Sequence, residues 1–251
     1  YYSLLIDDVA VVDPASETFY GMSRQASGIE IPYKEGGFYA LKDVPHGDIR
    51  IKKYFSKASN TWREMYVYTP PGYDKTTEKY PVLYLLHGGG EDQRGWATQG
   101  RTDLILDNLI AEQKAKPMVI AMLDGNFYGN GGGIAGFGEP QLKAFENELK
   151  NGAIPFVESN FRVETDAKNR ALAGLSMGGL QTLYAGIKNT DLFSYLGVFS
   201  SGWWANNTKL SDPQYEFMKN NASTINSNLK ELWISMGGKE DIAYENCKIM
   251  M

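Results

Sequence analysis

The chain has 251 residues, 43% of them apolar and 22% charged, an ordinary globular composition with room for one large α/β domain or two small ones. Its net charge of −5, from 25 basic and 30 acidic residues, argues against a nucleic-acid surface and against a polybasic membrane patch. No apolar run approaches the roughly 20 residues of a spanning helix, and the single cysteine, Cys247, excludes an internal disulfide framework and a thiolate zinc cluster.

Residues 1–45 differ in character from the rest of the chain. Val9 to Val12 is strand-like, Asp13-Pro14 breaks it, and Ser27 to Gly37 is rich in turn residues, so this stretch reads as the end of a β module plus a linker. Residues 46–251 form the second unit. Ile49 to Phe55 and Glu64 to Thr69 predict a hairpin across the polar loop Ser56 to Thr61, ended by Pro70-Pro71-Gly72.

The pattern then switches to strand–loop–helix. Val82 to Leu86 is a continuous apolar run, as a strand covered on both faces requires. Ile105, Leu106, Leu109 and Ile110 recur at helical spacing behind Thr102, read as the N-cap. Met118 to Leu123 predicts a second buried strand, and Leu142, Phe145 and Leu149 a helix that Pro155 kinks or ends. Arg170 to Leu175, Tyr195 to Phe199 and Leu232 to Met236 read as strands, with a helix over Leu180 to Ile187. Such alternation predicts a mainly parallel central sheet with helices on its faces.

The segment Arg170 to Gly179 carries G-x-S-x-G around Ser176, between an apolar strand and an apolar helix. That is the strand–turn–helix context in which a serine hydroxyl stands exposed above a sheet edge as a nucleophile. Directly after the first buried strand comes His87-Gly88-Gly89-Gly90. A loop of this type supplies one oxyanion N–H, here that of Gly89 or a neighbouring glycine, and the residue after the nucleophile, Met177, supplies the other. Each such donor is worth on the order of 3 kcal/mol of barrier. His87 is assigned to the loop scaffold, not to general-base catalysis.

Leu232 to Met236 runs through a glycine turn to Glu240-Asp241, and Asp241, with Glu240 as competitor, fits the acid that comes after the serine in this order of residues. The base should come after the acid, yet both histidines, His46 and His87, precede Ser176, and the chain stops at Met251. The expectation is therefore that the domain is truncated at its C-terminus and that the triad histidine lies outside these residues. Gly131 to Gly136 matches G-x-G-x-x-G formally but opens no helix, there is no phosphate loop, and two distant histidines give no metal-ligand spacing, so neither cofactor nor metal is expected. Trp203, Trp96 and Tyr128, in loops at the strand ends, are the candidate substrate-binding aromatics.

Tyr66 to Tyr73 (YVYTPPGY), Tyr80 to Gly88 (YPVLYLLHG), Asp107 to Glu112 (DNLIAE) and Ala173 to Gly179 (AGLSMGG) together resemble carbohydrate esterase family one, within the wider esterase D-like group. The likeness is to bacterial feruloyl esterases of xylan-degrading systems. It implies an α/β-hydrolase fold with Ser176 as nucleophile, Asp241 as acid and the oxyanion held by Met177 and the Gly88–Gly90 loop. It further implies feruloyl or acetyl esters of arabinoxylan as substrates, and a secreted or periplasmic location. Upstream, residues 26–30 and 38–47 resemble the junction behind a glycogen-binding-like β-sandwich module. Acetyl-xylan esterase, another esterase D-like hydrolase, and a non-catalytic carbohydrate-binding relative remain as alternatives at this point. A sheet lacking its last strand would also leave an edge on which a homodimer could form.

Overall fold

The computed structural model describes residues 1–31, 33, 37–127, 138–204 and 208–250. Upstream of the main domain lie two antiparallel ladders, β1 (Leu4–Ile6) with β2 (Val9–Val11), and β3 (Glu17–Gly21) with β4 (Arg24–Gly28), linked through the bridge between Tyr2 and Ser27. The main domain begins with the expected hairpin, β5 (Asp48–Ser56) and β6 (Thr61–Thr69).

The strands read from continuous apolar runs are present almost residue for residue. They are β7 (Val82–Leu86), β8 (Val119–Leu123), β9 (Arg170–Leu175), β10 (Tyr195–Phe199) and β11 (Glu231–Ser235). With the hairpin they form one seven-stranded sheet in the order β11-β10-β9-β7-β8-β6-β5. The five strands β7 to β11 run parallel, and the hairpin adds the antiparallel edge.

Helices pack on both faces. One carries α1 (Thr102–Ala111), whose Leu106 meets Tyr68, Leu85, Ile120 and Met122. On the other, α2 (Glu139–Glu148), α3 (Ile154–Asn160) and α4 (Met177–Lys188) close the larger core around Tyr84, Phe145, Leu172, Leu180 and Phe193. The helices α5 (Thr208–Asn220), α6 (Ala222–Asn228) and α7 (Tyr244–Met250) complete the order.

Two local readings are corrected. Thr102 is not the N-cap of α1: Arg101 occupies that place with a left-handed backbone, and the Thr102 hydroxyl donates to the Trp96 carbonyl at 2.7 Å. Pro155 does not itself end α2. The chain passes from α2 directly into a π-helical turn, Leu149–Ala153, and Pro155 follows in the first turn of α3, with the backbone right-handed helical across both junctions.

The register positions the site. Leu86 lies opposite Leu123 and Gly174, and Phe199 lies opposite Leu175 and Ser235. The loops that open at Asp124, His87, Ser176, Ser200 and Met236 therefore leave the parallel strands at one common edge, where such sheets bind ligands.

Candidate active site

Ser176 joins β9 to α4 with φ 52° and ψ −110°, a conformation that costs a non-glycine residue about 1–3 kcal/mol. What holds it there is the close approach of the two flanking glycines. A Cβ on Gly174 would lie 2.3 Å from the Gly178 carbonyl carbon, and a Cβ on Gly178 would lie 2.7 Å from the His87 oxygen and from Leu86. Any larger residue at either place would push helix from strand, or α4 from the His87 loop. The serine is thus presented at the N-terminal end of a twelve-residue helix, whose dipole favours negative charge developing beside it.

Two further strand ends are tied to this turn. The Ser176 N–H donates to the Phe199 carbonyl at 2.8 Å, and the Ser201 hydroxyl donates to the Ser176 carbonyl at 2.6 Å. Ser200, itself at φ 45°, donates its N–H to the Ser235 carbonyl and its hydroxyl to Asp241 Oδ2 at 2.6 Å. The Asp241 carboxylate also accepts the Gly237 N–H at 2.7 Å and the Ala243 N–H at 2.8 Å. These donors, the Ser200 hydroxyl first, hold its pKa below the ordinary 3.8. Asp241 is therefore a fixed anion linked through the β10 loop to the serine turn, which suits the orienting acid of a triad. The sequence reading missed Ser200. Its only signal was its place directly after a parallel strand next to the one that carries Ser176.

The His87–Gly90 loop is equally constrained. Gly88 does not serve as a donor, because its N–H is taken by Glu91 Oε2 at 2.9 Å. The Gly88 carbonyl accepts His87 Nδ1–H at 2.8 Å and the Glu91 N–H at 3.3 Å. In a trans peptide the N–H points opposite to the C=O, so the Gly89 N–H projects away from His87. His87 Nε2 accepts the Gly125 N–H at 3.0 Å, and the Gly125 carbonyl accepts Gln181 Nε2 at 2.7 Å, which ties the loops after β7 and β8 to α4. With Nδ1 protonated, Nε2 accepting and the residue 1% exposed, His87 has no nitrogen to offer a serine. Its scaffold role is what the structure shows.

His46 is also engaged elsewhere. Its Nδ1 faces Asp107 Oδ2 at 2.9 Å and its Nε2 faces the Lys42 carbonyl at 3.0 Å. The Asp107-Asn108 pair thereby gains a structural meaning. Asp107 also accepts from Tyr68 and the Gly47 N–H, while Asn108 donates to the carbonyls of Phe38 and Ala40, so α1 fastens the incoming strap, residues 38–47.

The aromatic assignments fare less well. Trp203 is 1% exposed within the main core, so it packs there and does not face a ligand. An indole at a strand end is large enough to be drawn under the neighbouring helices, and burial of its rings outweighs exposure. Trp96 is half-buried, donates Nε1–H to the Leu86 carbonyl at 2.8 Å and meets the Phe199 ring edge-on, so it braces the loop. Tyr128 and Gly131 to Gly136 lie outside the described residues. Among the described residues no cluster of three or more potential ligands could hold a metal, and no helix is long and apolar enough to cross a membrane.

Comparison with known proteins now bears on this geometry. The family model described as "Putative esterase" matches residues 56–249. The chain belongs to this esterase family. It is 38% identical over 244 residues to an endo-1,4-beta-xylanase/feruloyl esterase of Xylanibacter ruminicola, covering 92% of this chain and 33% of that protein. It is 26% identical to endo-1,4-beta-xylanase Y of Acetivibrio thermocellus, over 81% of this chain and 18% of the relative. The chain thus spans a third or less of these two curated relatives. A ferulic acid esterase of carbohydrate esterase family one from Anaeromyces mucronatus, solved with ferulic acid, superposes with TM-score 0.63 at 23% identity, covering 87% of this chain and 93% of that one. A mutant feruloyl esterase module from Clostridium thermocellum complexed with sinapinate gives TM-score 0.63 at 20% identity, covering 93% and 94%. The fold is that of the α/β-hydrolase esterases.

Proposed function

We propose that this esterase hydrolyses feruloyl esters on arabinoxylan through an acyl-enzyme, as part of a secreted or periplasmic plant cell-wall-degrading protein. The observation that carries the mechanism is Ser176, held at φ 52° on the elbow between β9 and α4. The likeness to a xylanase/feruloyl esterase supports the substrate class.

In this reading Ser176 Oγ attacks the ester carbonyl carbon and gives its proton to an imidazole oriented by Asp241. That imidazole belongs to a histidine other than His46 or His87, both of which are bound elsewhere. The carbonyl electron pair moves onto oxygen and is met by the N–H groups of Gly89 and Met177. As the pair returns, the sugar-linked alkoxide leaves with the imidazole proton. Water then repeats the sequence on the acyl group and releases hydroxycinnamate and free Ser176.

The test is hydrolysis of methyl ferulate and of feruloylated arabinoxylan by the protein at its natural length, beside its Ser176→Ala variant. Release of ferulate by the parent and loss of at least a thousandfold in the variant is the expected result. Equal rates in parent and variant would refute the mechanism, and turnover confined to acetylated xylan would refute the feruloyl assignment.

A further inference from the structure

The ladder of β3 and β4 turns at Met22 and Ser23, with φ 55° and 60° respectively. Two successive positive φ values are the geometry of a tight two-residue hairpin turn. This turn does not point into solvent. The Ser23 N–H donates to the Gly90 carbonyl at 2.8 Å, inside the loop that carries the oxyanion donor. Gly90 stands at φ +80°, and a Cβ there would lie 3.3 Å from both the Met22 Cα and the Ser23 nitrogen. Backbone meets backbone at this place, so a small glycine in a left-handed conformation is what lets the two segments join.

The contact is one of several fastening the ladder to the esterase domain near the site. Gln99 Nε2 donates to the Tyr20 carbonyl at 3.2 Å, the Arg94 guanidinium lies 4.9 Å from the centre of the Tyr20 ring, and Arg101 pairs with Glu30. On its other side the loop is fixed by His87 through the Gly88 carbonyl. The Gly89 peptide therefore hangs between two anchors: His87 within the esterase domain and Ser23 from the upstream ladder.

We infer that the Met22–Ser23 turn is a positioning element of the oxyanion hole, so that the upstream ladder acts on the chemical step and not only as a tether or a grip on polymer. The inference rests on the esterase reading above. Oxyanion donors act only when aimed at where charge develops, and a displacement of about 1 Å is enough to lose much of their effect. Releasing the Gly90 carbonyl frees the loop to rotate about Gly89 and Gly90 and turns the donor off its line.

Two variants test this at natural protein length. Ser23→Pro removes the donor and, because proline cannot hold φ 60°, opens the turn as well. Tyr20→Ala with Gln99→Ala loosens the ladder from contacts outside the oxyanion loop and leaves the turn sequence intact. Val9→Ala, on exposed β2, serves as control. The substrate is a small aryl ester, which offers the ladder no polymer to grip. A fall in kcat of about tenfold in both variants, with KM within about twofold and a matching loss of affinity for an aryl boronate, is expected. Hydrogen–deuterium exchange should rise at residues 87–91 in both, a readout that needs no turnover. If the parent hydrolyses the ester and the variants match it in kcat and in exchange, the inference fails and the esterase reading stands. If only polymer hydrolysis falls, the ladder grips substrate and the inference is overturned. If the parent itself is inert, the esterase reading fails, and exchange at residues 87–91 still decides whether the turn holds the loop.

Discussion

Ser176 stores backbone strain, and the strain has a measurable consequence. Glycine adopts φ 52°, ψ −110° without the penalty a Cβ carries, whereas alanine keeps that penalty. Ser176→Gly should therefore abolish turnover yet raise stability by about 1 kcal/mol in urea denaturation, while Ser176→Ala abolishes turnover with stability unchanged. Equal stabilities for the two would show that the elbow is relaxed. Ser200 is the companion case. Its hydroxyl is the largest of the influences lowering the Asp241 pKa, so Ser200→Ala should raise the carbon-13 NMR titration midpoint of that carboxylate towards 3.8 and slow kcat on the order of tenfold. The places of Ser176, Met177 and Asp241 at the ends of parallel strands were legible because glycine spacing and strand ends mark them locally. Ser200 was not, since its role exists only once β10 and β11 are in register. Trp203 misled for the reverse reason: a strand-end position says where the backbone is, and not whether the indole turns inward.

The strap over α1 makes a prediction at the level of elements. His46 presents both ring nitrogens to acceptors, the Asp107 carboxylate and the Lys42 carbonyl, and the Asp107 hydrogen bond is the first cause that raises its pKa above 6.5. A raised folded-state pKa means that the imidazolium's stabilising effect is complete below pH 6.5 and lost as pH climbs through the higher folded value. The melting temperature should thus decline as pH rises above 6.5 in the parent, and this part of the decline should disappear in His46→Ala. The element order itself was readable where physics is local. Parallel strands buried on both faces are unbroken apolar runs, which is why β7 and β9 matched their predicted limits. The helices α5 to α7 carry no such stripe: Thr208–Asn220 is polar and contains Pro213, so its helicity comes from its place in the fold. The π-helical turn between α2 and α3 arises from packing around Glu148, against which a Cβ on Gly152 would clash at 2.3 Å, and no periodicity announces it.

Across the whole molecule, one polar path runs from the antiparallel edge of the sheet to the oxyanion loop. Glu148 is buried and accepts from Tyr54, Ser56 and Ser59 of the β5–β6 hairpin. Arg63 on β6 lies 4.0 Å from Glu148 and 3.7 Å from Asp124, donates to the Asp124 carbonyl, and covers the Phe127 ring at 4.3 Å. Asp124 precedes Gly125, whose N–H fixes His87 and, through it, the Gly89 peptide. Burial works against the Asp124 charge, but the Arg63 cation and the Asn126 N–H favour it, and its pKa lies below 3.8. Removing the cation leaves two carboxylates facing the same space, and an uncompensated buried charge costs about 3–5 kcal/mol. Arg63→Leu should accordingly lose about 3 kcal/mol in urea denaturation, and Arg63→Lys should recover only part of it, because an ammonium cannot serve Glu148, the Asp124 carbonyl and the Phe127 face together. The same substitution should lower kcat more than it raises KM, since the path ends on the Gly89 peptide proposed to meet the oxyanion. A stability loss with kcat preserved would confine the path to folding and separate the sheet's edge from its chemistry.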